Sequence, residues 1–88
     1  MYHTYVLQSK KDKKYYTGCT SDLVKRLLAH NQGLVTSTKN RLPFSLIHTE
    51  TFQTLGEARK RENQIKSYKG GEAFKRLING SVLPHFAG

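Results

Sequence analysis

Glu62 stands where packing alone would set an apolar side chain. Leu55, Ala58, Ile65 and Tyr68 recur around it at helical spacing, and Glu62 falls four residues after Ala58 and three before Ile65, inside the same stripe. A carboxylate turned toward a core is costly unless it pairs with a cation or holds a metal ion. Spacing leaves both outcomes open, since Arg59, Lys60, Arg61 and Lys66 are all close enough in sequence to pair with it. A second constellation is Arg26 and His30, four residues apart and therefore on one side of a helix, bordering the side that carries Leu23 and Leu27. A guanidinium held there suits a phosphate, because its charge is permanent and its donors are forked. The plainer reading is a solvated arginine and a hydrogen-bonded histidine. The third pair is Tyr5 and Tyr16, which by propensity are ordinary half-buried strand residues.

The elements that must position these groups can be read in order. Residues 2–9 (YHTYVLQS) and 15–19 (YYTGC) have strand character, and the polar run 10–14 (KKDKK) joins them as a hairpin. A two-residue turn at Lys11-Asp12 sets Tyr5 opposite Gly18 and Tyr16 opposite Leu7, which makes the two tyrosines diagonal neighbours on one face. A slip of one residue would separate them. Thr20, Ser21 and Asp22 supply cap chemistry for a helix over 23–30 (LVKRLLAH), which Asn31 and Gly33 end. Residues 33–42 read as a loop with room for one helical turn. A third strand follows Pro43 (FSLIHTETF), with Phe44, Leu46, His48 and Phe52 on one face. Thr54 and Glu57 form a capping box for a helix that reaches about Tyr68 and stops at Gly70-Gly71. A short helix (EAFKRLI) ends at Asn79-Gly80. The order β-β-α-β-α-α describes an α+β fold, with helices against a small antiparallel sheet. Residues 1–80 form a single domain, and 81–88 a C-terminal tail without an assigned role.

The chain has 88 residues, enough for one hydrophobic core and not for a second. Fifteen Lys and Arg against six Asp and Glu give a net charge of +9, spread from Lys10 to Arg76. A folded surface of that sign attracts polyanions, nucleic acid first among them. A single cysteine, Cys19, excludes an internal disulfide and a Cys-rich zinc site. His3, His48 and His85 lack metal-ligand spacing, and both they and Cys19 are assigned to structure. No phosphate-binding loop, dinucleotide fingerprint or nucleophile elbow is present. No apolar run approaches bilayer length and the first residues do not resemble a secretion signal, so a cytoplasmic protein without a membrane partner is expected.

Taken as an ordered series, these residues resemble the GIY-YIG nuclease family, in particular its small stand-alone members. The series comprises HTY (His3-Thr4-Tyr5), then YTG (Tyr16-Thr17-Gly18), Arg26 eight residues after that glycine, His30-Asn31 a helical turn later, and Glu62 within EARKRENQIK. The likeness runs from Tyr2 to about Ile78. It implies a three-stranded antiparallel sheet flanked by helices and metal-dependent hydrolysis of a nucleic acid backbone. Carried over, Glu62 would bind one divalent cation, Mg²⁺ or Mn²⁺, and Arg26 would hold the phosphate. Tyr5 is then the expected base and Tyr16 the positioning group, with His30 relaying or orienting. A free tyrosine, with a pKa of about 10, is a poor base at neutral pH, so its surroundings must help. Arg26, Lys66 and Lys69 are the expected nucleic-acid contacts. The expected activity is an endonuclease on DNA in preference to RNA, of the kind used in DNA repair. With no appended reading module, it would be directed by substrate structure or damage, or by a protein partner that supplies specificity. Cys19 and Glu72 stand where some family members carry helper residues. That departure motivates the alternative, a non-catalytic nucleic-acid-binding module that retains the fold.

Overall fold

The computed structural model describes residues 1–80; the expected tail, 81–88, lies outside them. The elements are β1 (Tyr2–Ser9), β2 (Tyr15–Thr20), α1 (Leu23–Asn31), β3 (Phe44–Phe52), α2 (Leu55–Ser67) and α3 (Glu72–Asn79), in the expected order. The strands form one antiparallel sheet in the order β2-β1-β3, so the fold is α+β with β1 at its centre.

The hairpin adopts the register that brings the tyrosines together, with Tyr5 opposite Gly18 and Leu7 opposite Tyr16. Its turn is longer than the two residues expected. The Ser9 amide donates to Lys14 O at 2.9 Å and the Lys13 amide to Ser9 O at 2.9 Å, so residues 10–13 close the loop. Ser9 Oγ accepts from the amides of Lys11 and Asp12, at 3.1 and 3.2 Å, and these bonds hold the wider turn open. The pairing is unchanged because the turn widens equally on both sides of its centre.

Thr4, Tyr5, Val6 and Leu7 are all buried, because helices cover both faces of β1. On one face Tyr5, Leu7 and Phe44 pack with Leu23 and Leu27 of α1. On the other, Val6 packs with Ile65 of α2 and Phe74 of α3. The single core expected from chain length is thus split by the sheet into two small clusters. The expected single face of β3 is also interrupted. Val6 pairs with His48 but Leu7 with Leu46, so Ile47 is an extra residue, a β-bulge. Phe44 and Leu46 therefore face α1, whereas His48 and Phe52 share the α2 side with Val6 and Tyr2.

Local chemistry accounts for the helix ends. Asp22 Oδ1 accepts from the Lys25 amide at 3.0 Å and starts α1. Its other end closes on Gly33 at φ 76°, with the Leu34 amide donating to Ala29 O and the Gly33 amide to His30 O. Thr54 Oγ1 accepts from the Glu57 amide at 3.2 Å and caps α2. Leu55, counted in the apolar stripe, is 38% exposed; the buried part of that stripe is Ala58 and Ile65. Thr4 Oγ1 donates to Ala58 O at 2.7 Å and fastens α2 to the central strand. Among the described residues, no helix is long and apolar enough to cross a membrane.

Candidate active site

Tyr5 is 1% exposed and lies over Gly18 on the neighbouring strand. A Cβ at residue 18 would sit 2.6 Å from Tyr5 Oη and 2.8 Å from Tyr5 Cζ, so only glycine admits the phenol at this depth. The Tyr5 hydroxyl meets His30 Nε2 at 3.2 Å, and His30 Nδ1 meets Thr38 Oγ1 at 2.8 Å. Thr38 Oγ1 in turn donates to Val35 O at 3.4 Å. The bond from Thr38 to that carbonyl favours one tautomer. Thr38 spends its proton on a carbonyl, so its oxygen accepts Nδ1–H, and Nε2 is left with the lone pair that accepts from Tyr5. Burial, with Arg26 nearby, holds His30 below its ordinary pKa of 6.5, which keeps the imidazole neutral. Burial also pushes the Tyr5 hydroxyl well above the usual phenol value; Tyr16, Glu62 and Cys19 add to this and Arg26 opposes it. Tyr16 packs its ring edge-on against His30, with centroids 4.9 Å apart, and lies 6.5 Å from Tyr5.

The loop that supplies Thr38 is tied down at several points. Ser9 Oγ donates to Arg41 O at 2.6 Å, Arg41 Nε pairs with Asp12 at 3.0 Å, and the Lys10 amide donates to Pro43 O. Asn31, read from sequence as a helix terminator beside His30, clamps the start of β3 through its side chain. Its Oδ1 accepts from the Phe44 amide at 2.7 Å and its Nδ2 donates to Phe44 O at 3.2 Å. Both ends of the His30 environment are therefore fixed by hydrogen bonds.

A cleft of about 380 Å³ opens at the β2 edge of the sheet, lined by Tyr5, Tyr16 and Gly18, by Arg26 of α1, and by Arg59, Glu62 and Asn63 of α2. Four of the five expected chemical residues line it, and the fifth, His30, stands behind Tyr5. Arg26 is exposed and forms no salt bridge among the described residues. The Glu62 side chain is 17% exposed and its Oε2 accepts from Lys66 Nζ at 2.6 Å. Of the two sequence-level outcomes for Glu62, cation pairing is therefore present, and the carboxylate still reaches the cleft. Lys69 lies apart from this cleft, on a neighbouring groove. Glu72 is exposed at the start of α3, 4.0 Å from Lys75, and takes no part in the cleft.

Three further groups, not counted among the site residues from sequence, line the cleft. Cys19, assigned to structure, lines the cleft, and burial followed by the Glu62 carboxylate raises its thiol pKa, with Arg59 opposing. Arg59 adds a second guanidinium, and Asn63 a neutral amide beside Glu62. Thr38 is fully buried behind them. Nothing in the string Thr36-Ser37-Thr38 distinguishes the last hydroxyl from the other two.

Among the described residues no three His, Cys, Asp or Glu side chains converge on a metal position. The cleft nevertheless suits one hard cation, because Mg²⁺ is commonly held by a single carboxylate with water and substrate phosphate completing its shell. Glu62 is the one carboxylate among the cleft residues.

The chain is similar to several known proteins. The family profile of the GIY-YIG catalytic domain matches residues 1–74. A UPF0213 protein of Halobacterium salinarum is 43% identical over 67 residues, covering 75% of this chain and 86% of its own length. One from Staphylococcus saprophyticus is 36% identical over 80 residues, covering 90% and 96%. The solution structure of a UPF0213 protein from Bacillus halodurans is 29% identical, covers 93% of this chain and all of its own, and superposes with a TM-score of 0.46.

Proposed function

The chain belongs to the GIY-YIG nuclease family, and within it we propose that this protein is a divalent-metal-dependent endonuclease that hydrolyses phosphodiester bonds of DNA in preference to RNA. The observation that carries the reading is the Tyr5 hydroxyl, within hydrogen-bond distance of the buried His30 at the floor of a cleft bearing Glu62 and two arginines. Arg26 and Arg59 attract the scissile phosphate and balance the charge that grows on its oxygens. Tyr5 takes a proton from the attacking water while its own proton passes to His30 Nε2. Tyr16, packed against the imidazole, positions the water and a phosphate oxygen. Glu62 would hold Mg²⁺ or Mn²⁺, exchanging its exposed Lys66 partner for the ion. Such an ion supplies positive charge to the phosphate and to the departing oxygen. The positive cleft contacts backbone and not base edges, so selection falls to the substrate's branched, nicked or damaged structure, or to a protein partner. A cytoplasmic role in DNA repair is consistent with this chemistry.

The test is incubation of the purified protein with branched, single-stranded and duplex DNA, and with RNA, in Mg²⁺ or Mn²⁺. Cleavage by wild type and none by Glu62→Ala is the expected result. If neither protein forms product on any substrate, the enzymatic reading fails. The Glu62–Lys66 ion pair and the protonated Cys19 thiol beside it favour one second reading, a binding module without catalysis. That reading requires salt-sensitive nucleic acid binding that survives loss of Tyr5 and Glu62.

A further inference from the structure

Beside the cleft, and sharing Tyr16 with it, runs a second groove of about 540 Å³ between the hairpin turn, the end of α2 and α3. Its floor is apolar: Tyr15 packs edge-on against Phe74, ring centroids 4.7 Å apart, yet remains 44% exposed. Its rim carries Lys13, Lys14, Lys69 and Lys66, the last paired with Glu62 of the neighbouring cleft, and no Asp or Glu lines the groove itself. An exposed aromatic ring ringed by cations fits an unpaired nucleotide, whose base stacks while its phosphates meet the lysines.

The backbone supplies an independent observation. Among the described residues only two non-glycine positions have positive φ, Lys13 at 63° and Lys69 at 50°. Both line this groove, one on each side of it. Glycine or asparagine occupies such a conformation at lower cost, so local backbone chemistry does not favour lysine at either place. Backbone strain of this kind gathers at ligand-binding positions.

We propose that this groove binds an unpaired stretch of the nucleic acid strand flanking the scissile phosphate, with a base against Tyr15 and phosphates on Lys13, Lys14, Lys66 and Lys69. The inference rests on the nuclease reading for the identity of the strand, and its consequence is a preference for substrates with a single-stranded arm beside the cut.

The test measures binding without turnover. Fluorescence anisotropy in EDTA would follow a labelled oligothymidylate of about twelve nucleotides, the abasic oligomer of the same length and a blunt duplex. The Lys13→Gly/Lys69→Gly double variant should melt at or above the wild-type temperature, because glycine accepts the left-handed backbone. It should bind the oligothymidylate more weakly, with a salt slope shallower by about 1.4, from about 0.7 per lost phosphate contact. Tyr15→Ala should lose roughly tenfold on the oligothymidylate and nothing on the abasic oligomer. A double variant with wild-type affinity and slope would overturn the proposal. So would a Tyr15→Ala variant that weakens abasic or duplex binding as much as oligothymidylate binding. The nuclease reading is scored separately, by cleavage in Mg²⁺ or Mn²⁺. A protein that binds as described but cuts nothing keeps the groove and loses the nuclease. One that cuts while all these variants bind as wild type loses the groove.

Discussion

Replacing Gly18 by alanine tests the site through one methyl group. The new Cβ would stand 2.6 Å from Tyr5 Oη, 2.8 Å from Tyr5 Cζ and 3.3 Å from Tyr16 Cε1. To reach the 3.4 Å at which ordinary contact begins, the phenol must retreat by about 0.8 Å. Leu7, Phe44, Leu23 and Leu27 share the core cluster that holds that ring, so its retreat displaces packed side chains. Forcing a methyl into such a core costs about 1–3 kcal/mol. The retreat also stretches the 3.2 Å bond to His30, and an unmet buried acceptor adds about 1 kcal/mol or more. Against this stands the usual gain of a glycine-to-alanine change through the unfolded chain, about 0.4–1 kcal/mol. The balance is a loss of about 2 kcal/mol, or a melting temperature lower by roughly 8–16 °C for a domain of this size. Displacing a reacting group by about 1 Å can lower the rate about a hundredfold.

Thermal denaturation followed by circular dichroism, and single-turnover cleavage well below the variant's melting temperature, separate the two effects. Repeating the substitution in a Tyr5→Phe background adds a coupling measurement. Without the hydroxyl the closest contact disappears, while the one to Cζ remains, so the alanine should cost less there than in wild type. A Gly18→Ala protein that is stabilised and cleaves at the wild-type rate would refute the claim that this glycine exists to admit Tyr5.

Other consequences can be measured on the same protein. Because burial holds His30 below 6.5, the unfolded chain takes up a proton that the folded one refuses. Stability should therefore be complete above about pH 6.5, fall on acidification through that value, and level off below the folded pKa. Denaturant midpoints between about pH 8 and pH 5 check this, and a flat profile would contradict it. Glu50 and Asp12, whose pKa values are lowered, contribute only at more acidic pH. Nitrogen chemical shifts of the His30 ring should report the Nδ1–H tautomer, and Thr38→Val should cost about 1–3 kcal/mol by leaving that proton unpaired; an Nε2–H tautomer in wild type would sink the assignment. Glu62→Gln should change stability by no more than about 1 kcal/mol, the upper worth of a helical ion pair whose lysine is exposed, while abolishing calorimetric Mn²⁺ binding.

How far the site could be read in advance depended on which forces are local. Hairpin register follows from where the turn is centred, so Tyr5 opposite Gly18 survived an error in turn length. Asp22 and Thr54 cap helices through bonds spanning three residues, and Glu62 betrays itself by breaking a helical period. Thr38, Arg59 and the bulge at Ile47 left no comparable trace. Thr38 matters because a loop anchored by Ser9, Arg41 and Asp12 carries it to His30, and those contacts join distant parts of the chain. Arg59 is one exposed cation among many until α2 is docked. The bulge is invisible because FSLIHTETF alternates equally well with or without an extra residue.

Burial gives Tyr5 and His30 opposite shifts with one joint consequence. Desolvation disfavours the phenolate and the imidazolium alike, so at neutral pH the pair rests as phenol and neutral imidazole. A base that had to ionise before water arrived would seldom be ready. On the proposed mechanism no prior ionisation is needed, since Tyr5 would yield its proton to Nε2 as it takes one from water, and phenolate would never stand alone. The charge formed on that mechanism would be an imidazolium, with Thr38 against the ring nitrogen opposite Tyr5. Acid defeats the relay by protonating Nε2 beforehand, and the depressed pKa of His30 moves that failure to a pH below the ordinary histidine range. Burial, which on its own makes Tyr5 a worse base, is thus what keeps its proton acceptor available.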